Sequence, residues 1–405
     1  MPLLKKPVGN HGFFLEIVKN QKYLEAFKQT SSNWCFSFAP GRIEFLGNHL
    51  DYNGGTVLGM AVDAGIYCLG VPQEDTSISL FSEHFEDSAW DGDLHKIKRQ
   101  EGKYSWANYC LGVLQELKKI NLGPTQGFRL IFTSDLPTSV GLSSSAALEL
   151  ASAHTLLQLS GQSLPQEEMV KICRQAENNF VGMPCGILDQ GTSAFGKEDH
   201  LVCIECGQQN YSNLPLPPET EVWVFNTGIK HDLVDSLYST RHQECLDAFE
   251  SIKASNPVRN SLCECTREDL TSIDLPSNLK KRATHVIEEQ ERVASFREGI
   301  EKGSHLAELG KLLSESHRSS SQNFENSCPE LDFLADQLNE HPSVLGARLT
   351  GGGFGGAVMA WVPKSFTQKD AETIQQAYHK QYKQEIDCFH FKASDGARKE
   401  SLMSK

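Results

Sequence analysis

No stretch of the chain approaches 18 consecutive apolar residues, so the sequence offers no membrane-spanning helix. Positive charge is also scarce. Lys and Arg number 38 against 52 Asp and Glu in 405 residues, and the resulting net charge of −14 would repel a duplex phosphate backbone. Nucleic acid is therefore not an expected partner, and neither is a membrane. No GxxxxGK[ST] run occurs, which excludes a nucleotide site of the P-loop type, and no HExxH pair suggests a zinc protease. The opening twenty residues place Lys5, Lys6, Glu16 and Lys19 among apolar neighbours without a signal-peptide core. A cytoplasmic location is expected.

Twelve cysteines spread from Cys35 to Cys388 do not form the dense framework of a small secreted domain, so reduced thiols are expected. Cys203 and Cys206 have CxxC spacing, but they sit in strand-like text with no second pair at ribbon distance, and Cys263 and Cys265 stand one residue apart. Zinc is not expected. What is present is a soluble-protein composition, 39% apolar and 22% charged, at a length that favours two packed domains.

Apolar spacing predicts an opening helix carrying Phe14, Ile17, Val18, Tyr23, Leu24 and Phe27, then strands from Trp34 to Val71 with a hairpin signal at Asn53-Gly54-Gly55. Helices are predicted over 106–119, 147–159 and 166–180, and strands over 128–132, 201–206 and 221–226. Leu214-Pro-Leu-Pro-Pro218 is the expected domain boundary, dividing residues 1–213 from 214–405. Beyond it come helices over 233–254, 279–302 and 306–321 and a strand-turn-strand over 346–362. Strands and helices fall in runs rather than strict alternation, which predicts an α+β fold.

Three loops carry chemistry. In Leu136-Pro-Thr-Ser-Val-Gly-Leu-Ser-Ser-Ser-Ala146, Gly141 admits close backbone approach, the serines offer hydroxyl donors, and the following helix offers unpaired N–H groups at its positive end. This suits phosphate, although a Ser-capped helix would carry the same residues. Thr350-Gly-Gly-Gly-Phe-Gly-Gly356 formally contains GxGxxG, yet strand-like Ala357-Val-Met-Ala-Trp-Val362 follows where a dinucleotide fold needs a helix. A turn passing close to another loop or a ligand is what remains. Between Ala39 and Gly55, Arg42, His49, Asp51 and Tyr52 cluster among glycines, a set able to bind sugar hydroxyls.

Together these segments resemble the three motifs of the GHMP kinase superfamily, and Gly41-Arg-Ile-Glu-Phe-Leu-Gly-Asn-His-Leu-Asp-Tyr-Asn-Gly-Gly55 is similar to the signature of its galactokinases. Trp106-Ala-Asn-Tyr109, Met183-Pro-Cys-Gly-Ile-Leu-Asp-Gln190, Tyr238 with Arg241, His285 with Arg292, and Ser327-Cys-Pro-Glu-Leu-Asp332 extend the resemblance over roughly residues 10 to 395. It implies a two-domain fold with nucleotide and sugar bound between the domains. The sugar motif and phosphate loop would lie in the first domain and the glycine-rich third motif in the second.

The implied reaction moves the γ-phosphoryl group of ATP to the anomeric hydroxyl of galactose. A related sugar such as galacturonate, or a non-catalytic galactose sensor, are the alternatives. By the same resemblance Asp189 and Arg42 are catalytic, and Asn48, His49, Leu50, Asp51 and Tyr238 bind the sugar. Trp106 and Ser139, Val140, Gly141, Leu142, Ser143, Ser144 and Ser145 bind ATP, and Ser145 and Glu177 hold Mg²⁺. A monomer is expected. One departure stands out, since the family usually has Glu before the motif-one His and this chain has Asn48, an uncharged amide that both donates and accepts.

Overall fold

The computed structural model describes residues 34–138, 140–230 and 234–400, so the expected opening helix and Ser139 lie outside the described residues. The chain begins with β1 (Cys35–Leu46), whose alternation sends Phe36 and Phe38 to one face and Ile43 and Phe45 to the main core. A 3₁₀ turn at Asp51–Asn53, closed by Gly54 at φ 76°, leads back into β2 (Thr56–Pro72), antiparallel to β1. The expected hairpin is therefore present with a longer loop, and that loop carries the polar cluster.

The first sheet adds β3 (Ser77–Ser82), β4 (Trp90–Asp93), β5 (Phe128–Ser134), β6 (His200–Glu205) and β7 (Asn210–Pro215). Its main path runs β12-β1-β2-β5-β3-β4, where β12 is Arg398–Glu400. The long β2 serves two neighbours, with Thr56–Gly59 pairing β6 and Ile66–Pro72 pairing β5. Helices α1 (Ala107–Lys119), α2 (Ser144–Leu159), α3 (Gln166–Gln175) and α4 (Leu188–Phe195) accompany it. α2 is apolar nearly all round, and the burial of Leu150, Ala151, Ala153, Leu156 and Leu157 explains why: it is sandwiched between the sheet and the other helices.

The second half contains β8 (Thr220–Lys230), α5 (Val234–Ser255), α6 (Arg267–Thr271), α7 (Ser277–Lys302), α8 (Leu306–Ser319), α9 (Pro329–Glu340), β9 (Gly346–Thr350), β10 (Gly355–Pro363), α10 (Gln368–Tyr382) and β11 (Asp387–Phe391). Its sheet runs β11-β8-β10-β9. The two halves share one core. Phe45 of β1, Phe296 of α7 and Trp361 of β10 meet edge to face at 5.3–5.9 Å, and all three are fully buried.

The sequence reading departs from the structure in three places. The boundary near 214 does fall in the last hairpin of the first sheet, but the chain end crosses back, since Phe36, Ser37 and Phe38 of β1 pair with β12. The helix expected over 166–180 is α-helical only to Gln175 and closes in a π turn, Ala176–Val181. Likewise the helix expected to reach Ser321 turns π at Ser320–Phe324. Both widened turns aim polar residues at the site.

Candidate active site

A cavity of about 350 Å³ opens between the halves. Arg42 and Asp189 line one end, and the phosphate-type loop is hydrogen-bonded to both. Gly141 at φ 76° and Ser143 in the left-handed region bend the chain so that α2 begins at Ser144, with no side chain capping its first N–H groups. Val140 and Leu142 are buried to 1% and 3%, so they anchor the loop from below and offer a ligand their backbone alone. Ser144 is exposed at the helix start.

Arg42 fixes this end. Its backbone N–H donates to the Leu142 carbonyl at 3.0 Å, its Nη1 donates to the Gly141 carbonyl at 2.7 Å, and its Nε and Nη2 both meet Asp189 Oδ1 at 2.7 Å. The Ser143 hydroxyl donates to Asp189 Oδ2. Asp189 sits in the first turn of α4 with its side chain 26% exposed and lines the cavity. A carboxylate offers about four acceptor positions. Three are filled here, which leaves one on Oδ2 for a ligand hydroxyl.

Ser145 and Glu177 are brought together, and the Ser145 hydroxyl holds the Glu177 carboxyl down. Burial and the neighbouring Asp189 outweigh that hydrogen bond and push Glu177 above its ordinary range. Gln190 Nε2 joins Glu177 Oε2 at 2.6 Å to the wholly buried Glu149 Oε2 at 3.0 Å. Glu149 is pushed up as well, by burial and then by Glu177, and its Oε1 has no partner. Negative charge is thus in excess beside the loop. A cation would relieve it, so the donor set fits a divalent ion.

The other end is built differently. Arg42 and Glu44 stand two apart on β1, between bulges at Pro40/Arg42 and Glu44/Leu46, so both side chains point into the cavity. His49, in the left-handed region at φ 62°, stacks on Phe324 at 4.1 Å. Asn326 Nδ2 lies 3.0 Å from His49 Nε2, and the Tyr52 hydroxyl lies 2.9 Å from Nδ1. Burial keeps this ring neutral, its pKa held well below the ordinary value. Asp51 packs against Gly186, where a Cβ would collide with its carboxylate. Burial, then Glu44, then Asp189 raise Asp51 to about 6. Tyr238 faces it across the cavity, close above Gly352.

Asn48 is buried to 1% exposure. Its Nδ2 donates to Glu44 Oε1 at 2.9 Å and to the Gly351 carbonyl at 3.0 Å, while its Oδ1 accepts from Asn326 at 2.9 Å and Ser320 at 3.2 Å. All four of its hydrogen-bonding positions are spent inside the protein. Leu50 is wholly buried in the core, because the 3₁₀ turn sends its side chain inward. Trp106 is 6% exposed and packs edge-on against Phe132 at 6.1 Å.

Sequence reasoning missed the network beneath the sugar end. Glu289 of α7 accepts from Arg292 Nε at 2.7 Å, the Ser316 hydroxyl at 2.7 Å and the backbone N–H of Gly47 and Asn48 at 3.0 and 3.2 Å. Arg348, wholly buried, donates to the Glu44 carbonyl and Ser316 at 3.1 Å and faces Glu44 Oε1 at 3.4 Å. His285 donates from Nε2 to the Asn48 carbonyl at 3.1 Å. The third motif completes the seam: Gly353, at φ 82°, passes where a Cβ would strike the Asn326 carbonyl, and Gly352 accepts from Asn326. The expected close approach is thus to another loop. A buried Glu or Arg in a helix carries no short-range signal of such a partner.

A glycine- and serine-bearing loop at a helix N-terminus, hydrogen-bonded to a carboxylate–arginine pair that lines a cleft between two α+β halves, is the arrangement of a small-molecule kinase of the GHMP type. Family models agree: the GHMP kinases N terminal domain matches residues 108–197, the galactokinase galactose-binding signature residues 21–72, and the GHMP kinases C terminal region residues 296–384. Galactokinase of Thermotoga neapolitana is 38% identical over 365 residues, covering 89% of this chain and 99% of the relative. That of a Roseiflexus species is 34% identical over 88% and 91%. The crystal structure of Lactococcus lactis galactokinase complexed with galactose superposes with a TM-score of 0.88 at 30% identity over 93% and 98% of the two chains. Methanococcus jannaschii mevalonate kinase, at 18% identity and a TM-score of 0.63, shares the fold. The chain belongs to the galactokinase family of GHMP kinases.

Proposed function

We propose that the chain transfers the γ-phosphoryl group of ATP to the anomeric hydroxyl of galactose. The observation that carries this is Asp189, held by Arg42 and Ser143 with one acceptor position open to the cavity, directly beside the start of α2. Phosphoryl transfer passes through a loose transition state, so positioning and charge stabilisation dominate. Asp189 orients the sugar hydroxyl through its free position and takes the proton as the new P–O bond forms and the bond from the γ-phosphorus to the β–γ bridging oxygen breaks, releasing ADP. The loop from Val140 to Ser143 and the N–H groups of α2 bind phosphate oxygens, and Arg42 balances charge at the same place.

Ser145 and Glu177 would hold Mg²⁺, which neutralises phosphate charge when bound. Excess carboxylate around Glu177 supports this assignment. His49, Asp51 and Tyr238 form the sugar's wall, with His49 supplying a neutral ring edge and Asp51 an acceptor. No helix among the described residues is long and apolar enough to cross a membrane, and twelve unpaired cysteines support a reducing, cytoplasmic setting. An ATP-consumption screen over galactose, N-acetylgalactosamine, L-arabinose, galacturonate and glucose tests the reading. Galactose should be consumed fastest; another sugar ahead of it, or none consumed, contradicts it.

A further inference from the structure

The resemblance leads one to look for a sugar-binding carboxylate at position 48, where this chain has an amide. Asn48 has no hydrogen-bonding position left for a ligand, because Glu44, Gly351, Asn326 and Ser320 take all four. Glu44 is in the opposite condition. Its Oε1 is occupied by Asn48 and faces Arg348, whereas its Oε2 accepts no hydrogen bond among the described residues. That oxygen is not sealed in the interior, and Glu44 lines the cavity. A carboxylate buried to 3% exposure with an idle oxygen facing a ligand space is costly unless a ligand hydroxyl completes it.

We infer that Glu44 is the specificity-determining acceptor for a sugar hydroxyl remote from the transferred phosphoryl group, and that the cavity's negative charge has been moved from position 48 to position 44, not lost. This rests on the sugar-kinase reading above. Geometry supports the placement. Glu44 follows Arg42 on the same face of β1, and Arg42 holds Asp189 at the phosphoryl end, so Glu44 lies one strand repeat further into the sugar end. Asn48 and Arg348 lock its Oε1, which leaves Oε2 fixed in direction before any sugar arrives.

The consequence is selective. An uncharged hydroxyl donates a charge-assisted hydrogen bond to Oε2, whereas a substrate carboxylate at the same place would meet Glu44 with Asp51 and Asp189 nearby. Galacturonate is therefore excluded despite the neutral residue at 48.

The test is a substrate–residue cycle on the full chain. kcat/KM is measured for galactose, its four monodeoxy analogues at carbons 2, 3, 4 and 6, and galacturonate, with wild type and Glu44→Gln. In wild type one deoxygenation should cost about tenfold or more, and in Glu44→Gln the same deoxygenation should cost about threefold or less. Wild type should process galacturonate at least about a hundredfold worse than galactose, a ratio that Glu44→Gln narrows by about tenfold. A structural role for Glu44 would lower all sugars alike. Penalties that are identical in the two proteins for every analogue therefore overturn the inference. Because Glu44→Gln also loosens Arg348, wild type alone supplies a decisive arm that does not depend on the variant folding: galacturonate processed within about threefold of galactose overturns the inference whatever the variant does. A wild type inactive on galactose overturns the reading beneath it and the inference together, a result distinct from either of these.

Discussion

The two ends of the cavity are built on opposite plans. The phosphoryl end is open and few-membered: Arg42, Asp189 and Ser143 reach a loop that is partly exposed, and acceptor and donor positions are left free for ligand atoms. The sugar end is sealed and almost saturated, with Asn48, Glu289, Arg348 and Asn326 buried to 1% or less and bonded to one another across the two halves. The contrast follows from the ligands. ATP brings its own charge and needs an open cradle, whereas a neutral sugar is distinguished by the direction of its hydroxyls, which only a rigid wall can read.

If the sealed end is rigid because of Glu289, removing that charge should do the most damage. Glu289→Gln removes the charge and sets an amide NH2 against either Arg292 or the two backbone N–H groups, and an equilibrium urea titration should show a loss of about 3–5 kcal/mol. Arg292, then His285 and Arg348, hold the Glu289 carboxyl down to about 2 from 4.5 against the burial that would raise it. Since the folded value is the lower one, this stabilisation is complete above about pH 4.5 and disappears as pH falls toward 2, about 3 kcal/mol in all. Glu289→Gln should flatten that part of the acid-unfolding curve. A variant as stable as wild type would mean that the two halves are held by their shared apolar core alone.

A smaller effect sharpens the junction between the ends. Asp51 is raised to about 6, so in the free protein it protonates just below neutrality. As the acceptor for a sugar hydroxyl it must be ionised, and kcat/KM for galactose should fall about tenfold per pH unit below pH 6. kcat should hold to lower pH, because a bound hydroxyl favours the carboxylate. Its raised value also means that ionised Asp51 destabilises the fold as pH rises through 3.8 to about 6. Asp51→Asn should therefore melt slightly above wild type at pH 7 while binding galactose poorly. A pH-independent kcat/KM, or a lower melting temperature, would count against this placement.

The open end was legible in the sequence and the sealed end was not, and the reason is range. Arg42, Gly141, Ser143 and Asp189 lie in short motifs whose glycines and serines betray a loop before a helix, and the structure joins them as those motifs suggest. Most elements were legible for the same local reason, the apolar spacing of α1 and α7 and the apolar runs of α2, β8 and β10. Glu44, Glu289 and Arg348 belong to three different elements, and nothing within a few residues of any of them announces that they meet. Asn48 read as a lost charge because its partner, Glu44, is visible only once β1 and its loop are folded together.

The central claim is that Asp189 directs phosphoryl transfer to the anomeric hydroxyl. It is tested by following the product with ³¹P NMR for wild type and for Asp189→Asn, which preserves volume and both neighbouring donors. Wild type should give galactose 1-phosphate, and the variant should bind ATP normally while forming the same product about 10²–10⁴-fold more slowly. A phosphate on another hydroxyl in wild type, or a variant within a few-fold of wild type, would contradict the account.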